Sequence, residues 1–196
     1  MKNISYILCN SGILLCTTLF ERYCNMNHYQ FPKDYGFQHT EKICHFLKKN
    51  KKWNDNAAQL NTLIMFACKI YMYYDCLIND NTQLSNRVVS LLILRQLGGY
   101  LTRQPIHTDF LQLASSYDVP SKNDNFFFMF SGHTIILVST GLHITLETSY
   151  IDMHISYAFF SLAFLFQTLR LLGTRGHYSN DIYIATIMSC LMHKSI

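Results

Sequence analysis

Charge is the scarcest resource in this chain of 196 residues: Asp, Glu, Lys and Arg together make up 14%, against roughly 25% in soluble domains. Proline and glycine are also sparse, with 3 and 8 residues. This balance leans toward a membrane environment, although the mean hydropathy is only slightly positive because Asn, Thr, Ser and His interrupt the apolar runs. No basic stripe is interleaved with exposed aromatics, and a net charge of +4 is small and scattered, which excludes nucleic acid as a partner. No C-x-x-C pair occurs among the seven cysteines, Cys9, Cys16, Cys24, Cys44, Cys68, Cys76 and Cys190, so neither a disulfide framework nor a zinc knuckle is indicated. Most of them lie in apolar runs, where Cys behaves as a small hydrophobe. No small-x-small cleavage site follows the apolar run 4–20 behind Lys2, which reads as an uncleaved membrane segment rather than a signal peptide.

What the chain does have is 49% hydrophobic residues, with 14 Phe and 13 Tyr. A spanning helix needs about 20 mostly apolar residues, and about six segments approach that, some of them short. The first is 4–20. The second, 57–78, contains Lys69 and Asp75, which are expensive in lipid and are expected to face the interior. The third, 88–102, carries Arg95 and a Gly98-Gly99 pair that lets neighbouring helices approach. The others are 126–146, 153–172 and 181–192. Polar connections fill 21–56, 79–86 and 104–124. The expected fold is all-α, a multi-pass transmembrane helical bundle, with a first membrane segment and polar connection over 1–56 and a membrane-embedded core over 57–196. A soluble all-α bundle is the alternative, since short apolar runs can also be buried core helices. Lys48, Lys49, Lys51 and Lys52 beside Trp53 suit anionic head groups, or a solvated surface turn.

Two polar clusters open apolar segments: Phe130-Ser131-Gly132-His133-Thr134 and Gly176-His177-Tyr178-Ser179-Asn180-Asp181. The two segments between them run out and back, so His133 and His177 fall on one face of the membrane. His177 and Asp181 are spaced to share a helix face, where the carboxylate can accept the Nδ1 proton and leave Nε2 free to attack phosphorus. Ser131 is a good N-cap residue, and Gly132 lets the backbone amides of this helix start cradle a phosphate. Each His alone is more often a capping or surface residue; their joint occurrence is what points to chemistry. His143 and His154 have no comparable partner in the sequence and read as structural.

On these motifs the chain resembles the sphingomyelin synthase family, within the superfamily of type-2 phosphatidic acid phosphatases. The second cluster has that family's form H-Y-[ST]-x-D, and the likeness runs from Val88 to the C-terminal end. The resemblance implies that His177 is the nucleophile, that Asp181 orients it, and that His133 serves the leaving and accepting oxygens. A weaker match of Tyr100-Leu101-Thr102-Arg103 to a Y-x-Y-R element makes Arg103 a candidate phosphate ligand, with Ser131, Gly132 and Tyr178 beside it. Departures exist: Asn125-Phe126-Phe127 stands where the family has C-G-D, and Gly176 where it has Glu. Leu171, flanked by Arg170 and Arg175, occupies the place of the Arg found in the phosphatases.

The resemblance implies a membrane-embedded lipid phosphotransferase. It would move a phospho-head group, phosphocholine or phosphoethanolamine, from a glycerophospholipid donor to a hydroxyl on ceramide or diacylglycerol. A phosphohistidine would carry the group, with no metal or other cofactor. A lipid phosphate phosphatase with water as acceptor, and a non-catalytic lipid-binding membrane protein, are the alternatives. Sidedness is open, because the family places its site on the exoplasmic face while the basic residues of 21–56 favour the cytoplasm.

Overall fold

The computed structural model describes residues 34–101, 103–118, 126–128, 130–148 and 151–195; the expected first span, 4–20, lies outside the described residues. Along the chain come α1 (Tyr35–His39), α2 (Glu41–Lys49), α3 (Lys51–Ile78), α4 (Gln83–Leu101), β1 (Arg103–Pro105), α5 (Thr108–Leu113), β2 (Phe126–Phe128), α6 (Gly132–Glu147), α7 (Met153–Gly173) and α8 (Ser179–Ser195). The described chain is thus helical, as expected, with one short ribbon. β1 and β2 pair antiparallel in the register Arg103 with Phe128, Gln104 with Phe127 and Pro105 with Phe126. The segment expected to be helical from residue 126 therefore begins as a strand, and its helix starts only at Gly132, after the Ser131 cap. The connection expected over 104–124 holds both β1 and α5, and α3 runs unbroken through residue 56.

Helix α6 is central and packs against α3, α4, α7 and α8. Leu84 and Leu91 of α4, Ile135 and Leu137 of α6 and Ala185 of α8 are fully buried between them. At Gly141 a Cβ would stand 2.9 Å from the Phe160 ring, so α6 and α7 approach more closely there than any side chain allows. Helices α3, α6 and α8 start at one end of the bundle, where α4 and α7 finish. The amphipathic helix α2 closes that end by burying Cys44 and Leu47 against Leu113.

The distribution of polarity runs opposite to that of a water-soluble domain. Asn61, Asp75, Arg87, Arg95, Gln167 and Arg170 are buried, while Leu63, Phe66, Ile70 and Tyr74 on α3 and Ile155, Phe159 and Leu162 on α7 are exposed. Their three- and four-residue spacing places each set on one helix face. Among the described residues only α7 is both long and apolar enough to cross a membrane by itself. Of the two charges expected inside, Asp75 is buried, whereas Lys69 is exposed; its long stem can cover apolar surface while its ammonium stays outside.

Asp75 belongs to a buried network at the end of the bundle away from the start of α6. The two ring nitrogens of His143 face Asp75 Oδ2 at 3.0 Å and Glu147 Oε2 at 2.7 Å. Arg87 donates to Glu147 and lies 3.2 Å from His193 Nδ1, so the cluster joins α3, α4, α6 and α8. His143 thus has two carboxylate partners, one of which is supplied from so far along the chain that spacing could not show it. Replacing His143 by Leu leaves Asp75 without this partner and should cost on the order of 3–5 kcal/mol, measured as a lower thermal unfolding midpoint in detergent.

Candidate active site

Two helix starts meet at the opposite end. Ser131 is completely buried and caps α6, its Oγ accepting from the Thr134 amide at 3.3 Å. Its own amide donates to the Asp181 carbonyl at 3.3 Å, a main-chain bond that ties the beginning of α6 to the first turn of α8. Arg95 reaches over from α4, and its Nε donates to the Phe130 carbonyl at 2.6 Å. A Cβ on Gly132 would find Arg95 Nε at 3.6 Å, so the guanidinium lies directly against the start of α6.

The start of α8 is fixed by the way α7 ends. The Gly176 amide donates to the Leu171 carbonyl at 2.9 Å and the Arg175 amide to Leu172 at 3.2 Å, the paired bonds of a Schellman turn. The residue turning left-handed is Arg175, with φ 61°, a conformation usually left to glycine. Its guanidinium bonds Thr40 Oγ1 and the Leu172 carbonyl, each at 2.9 Å, and stacks on Phe37. His177 follows in this turn, one residue before the cap of α8. Asp181 sits in the first helical turn, and its Oδ2 accepts the Tyr178 amide at 3.0 Å, the returning half of a capping box. Asp34, ahead of α1, accepts the Ser179 amide at 2.7 Å and its hydroxyl at 3.0 Å.

In this frame His133 and His177 face each other with ring centroids 6.5 Å apart and planes inclined by 68°. The gap is about what one phosphoryl group needs with a contact on either side. His177 Nδ1 lies 3.4 Å from Asp181 Oδ2, long for a hydrogen bond, as catalytic contacts often are before substrate tightens them. Burial, and after it the Arg95 guanidinium, hold the His177 imidazole down to about 3, so the ring is neutral at physiological pH. Arg95 acts electrostatically on His133, His177 and Asp181 alike, and Arg170 acts on His133. The positive end of the α6 dipole adds to this field, whereas the first amides of α8 are taken by Asp181 and Asp34. A neutral imidazole, a second imidazole and a fixed positive field suit nucleophilic attack on an anionic phosphorus.

The structure thus brings together His133, His177, Asp181, Ser131 and Gly132. Tyr178 is turned away: its hydroxyl donates to the Pro105 carbonyl at 2.9 Å and its amide to Asp181, so both donors serve the framework instead of a phosphate. Arg103 opens β1, and its side chain lies outside the described residues. Arg170 is buried in an ion pair with Asp118. Arg95 is the cation that motif reading passed over, and Gln104 of β1, beside Asp181, is a neighbour it did not anticipate. Among the described residues no three His, Cys, Asp or Glu side chains form a metal cage.

A family profile described as AtPDCT1/2 matches residues 33–195. Phosphatidylcholine:diacylglycerol cholinephosphotransferase 1 of Arabidopsis thaliana is 29% identical over 153 residues, covering 78% of this chain and 49% of the relative. Phosphatidylcholine:diacylglycerol cholinephosphotransferase 2 of the same plant is 28% identical over 153 residues, covering 78% and 50%. The chain therefore spans about half the length of these curated relatives. No solved structure matches. The match is to these cholinephosphotransferases and not to sphingomyelin synthase itself.

Proposed function

We propose that this chain, which belongs to the AtPDCT1/2 family, transfers phosphocholine from phosphatidylcholine to the hydroxyl of diacylglycerol, through a phosphohistidine on His177. The observation that carries this reading is the facing pair of imidazoles between two helix starts, with Asp181 behind one of them. Diacylglycerol is preferred to ceramide as acceptor because both relatives are phosphatidylcholine:diacylglycerol cholinephosphotransferases.

His177 Nε2 attacks phosphorus, and the bond from phosphorus to the diacylglycerol oxygen breaks. His133 takes up a proton only as the anionic phosphodiester binds and offsets the field of Arg95 and Arg170, and it gives that proton to the departing oxygen. The phosphorylated His177 ring carries positive charge, which Asp181 offsets across Nδ1–H. A second diacylglycerol then loses its hydroxyl proton to the now neutral His133, attacks the same phosphorus and frees His177. Arg95 and the amides at the start of α6 stabilise charge on the non-bridging oxygens. Replacing Arg95 by Gln should lower the transfer rate by on the order of a hundredfold, with partial recovery in Arg95→Lys, measured as transfer rates in reconstituted vesicles.

The exposed apolar faces of α3 and α7 and the buried charges between helices support a multi-pass integral membrane protein. Trp53, 63% exposed at the start of α3, and the lysines beside it suit the head-group level at the site's end of the bundle. The deciding experiment supplies membranes containing the chain with phosphatidylcholine labelled in choline and diacylglycerol of distinct chain length. Label in phosphatidylcholine bearing the new chains supports the reading. Label in sphingomyelin when ceramide is offered instead moves the acceptor to ceramide, and label released only as water-soluble phosphocholine refutes transfer.

A further inference from the structure

We infer that the cavity between α3, α6 and α7 is the seat of one fatty acyl chain of the diacylglyceryl unit, the portion that donor and acceptor have in common. This rests on the proposed reaction and assigns a binding subsite to it. Helices α3 and α7 are pinned together near the site's end by Gln167 Nε2 donating to Asn61 Oδ1 at 3.2 Å. Farther along, they flank a cavity of about 590 Å³, within the usual range for ligand pockets of roughly 300–1,000 Å³.

The lining excludes most ligand classes. It contains no charged side chain, and its heteroatoms belong to Cys68, Tyr71, Thr140 and Ser156. Cys68 and Thr140 are hydrogen-bonded to each other. Ser156 Oγ is buried without a partner among the described residues, which is too little to hold a head group, a nucleotide or a peptide. A hydrocarbon chain requires no polar partner.

Position names the chain. Thr140 and Ile144 stand about two and three turns along α6 from His133, roughly 10 and 16 Å of helix rise beyond it, on the side where the tails of a lipid held by its head group must lie. Leu63, Ile155 and Phe159 on the cavity's rim are exposed and continuous with the apolar faces of α3 and α7, so a chain enters sideways from the bilayer. Because the departing and the incoming diacylglycerol are the same kind of molecule, one subsite positions the glycerol oxygen at His133 in both half-reactions.

The test fills the cavity from its rim. Ala67 lines it and is exposed, so Ala67→Trp adds bulk without displacing a core side chain. In nanodiscs, the ratio of kcat/KM for long-chain to short-chain diacylglycerol should fall on the order of tenfold in the variant; an unchanged ratio overturns the assignment. Independently of turnover, phosphatidylcholine with a photoactivatable group at mid-chain should label residues within 63–71, 140–144 and 151–160 of the wild type, and labelling confined to the outward faces of α7 and α8 overturns it as well. Labelling inside the cavity with an unchanged chain-length ratio identifies a resident bilayer lipid and refutes a substrate subsite. Labelling inside the cavity of a chain that transfers no phosphocholine to any acceptor leaves a lipid-chain site standing and removes the proposed reaction.

Discussion

Alanine at His177 should lower phosphocholine transfer by a factor of about 10³ or more, and label from choline-labelled phosphatidylcholine should no longer be retained on the protein. His177 is 1% exposed, and its Nδ1 is directed at Asp181, so that in the proposed mechanism Nε2 is the nucleophile. Among the described residues His133 is the imidazole nearest to it, and by the proposed mechanism it already handles the proton, so no substitute can form the covalent adduct. The turn itself survives the change. The Schellman bonds of Gly176 and Arg175, the grip of Asp34 on Ser179 and the bond from Tyr178 to Pro105 are all independent of the imidazole. A purified His177→Ala protein with a normal unfolding midpoint and wild-type transfer would sink the mechanism.

Asp181→Asn should reduce transfer by roughly 10³- to 10⁴-fold, the size of effect seen when an imidazole loses the carboxylate that fixes its tautomer. The amide, its oxygen held in the place of Oδ2 by the Tyr178 amide, cannot offset the charge of a phosphorylated ring across Nδ1–H. The asparagine oxygen can nevertheless still accept the Tyr178 amide, so the cap is preserved and stability should change by no more than about 1 kcal/mol. A loss of rate at nearly constant unfolding midpoint separates positioning of His177 from a merely structural role. If rate and stability decline together, Asp181 is a helix cap and nothing more.

Legibility from sequence followed the range over which each signal acts. His133, His177 and Asp181 were readable because their partners are either four positions apart or implied by two helix starts separated by an out-and-back pair. Ser131 announced the start of α6, yet the Phe-rich run ahead of it reads as more of the same apolar segment, although aromatic residues also favour strands; the pairing of 126–128 with 103–105 is a long-range event. Arg95 could not be assigned, since a single Arg in an apolar helix does not say which neighbour it meets, and α6 determines that. Asp34 and Asp75 escaped for the same reason, since Ser179 and His143 lie far away along the chain; Glu147, four positions after His143, was within reach of the spacing that picked out Asp181 and went unread.

The peptide bond-to-peptide contact between Ser131 and Asp181 fixes where two parallel helices begin, and α7 is the rod that carries the chain back to make that contact possible. Its length, and not its outward-facing sequence, is then the gauge of the catalytic gap. One residue inserted into α7 would swing His177 by about 100° and advance it by about 1.5 Å, whereas exchanging Phe159 for Leu on the outer face would leave the spacing untouched. Drift on the outward face of α7 is therefore tolerated in its letters and forbidden in its count.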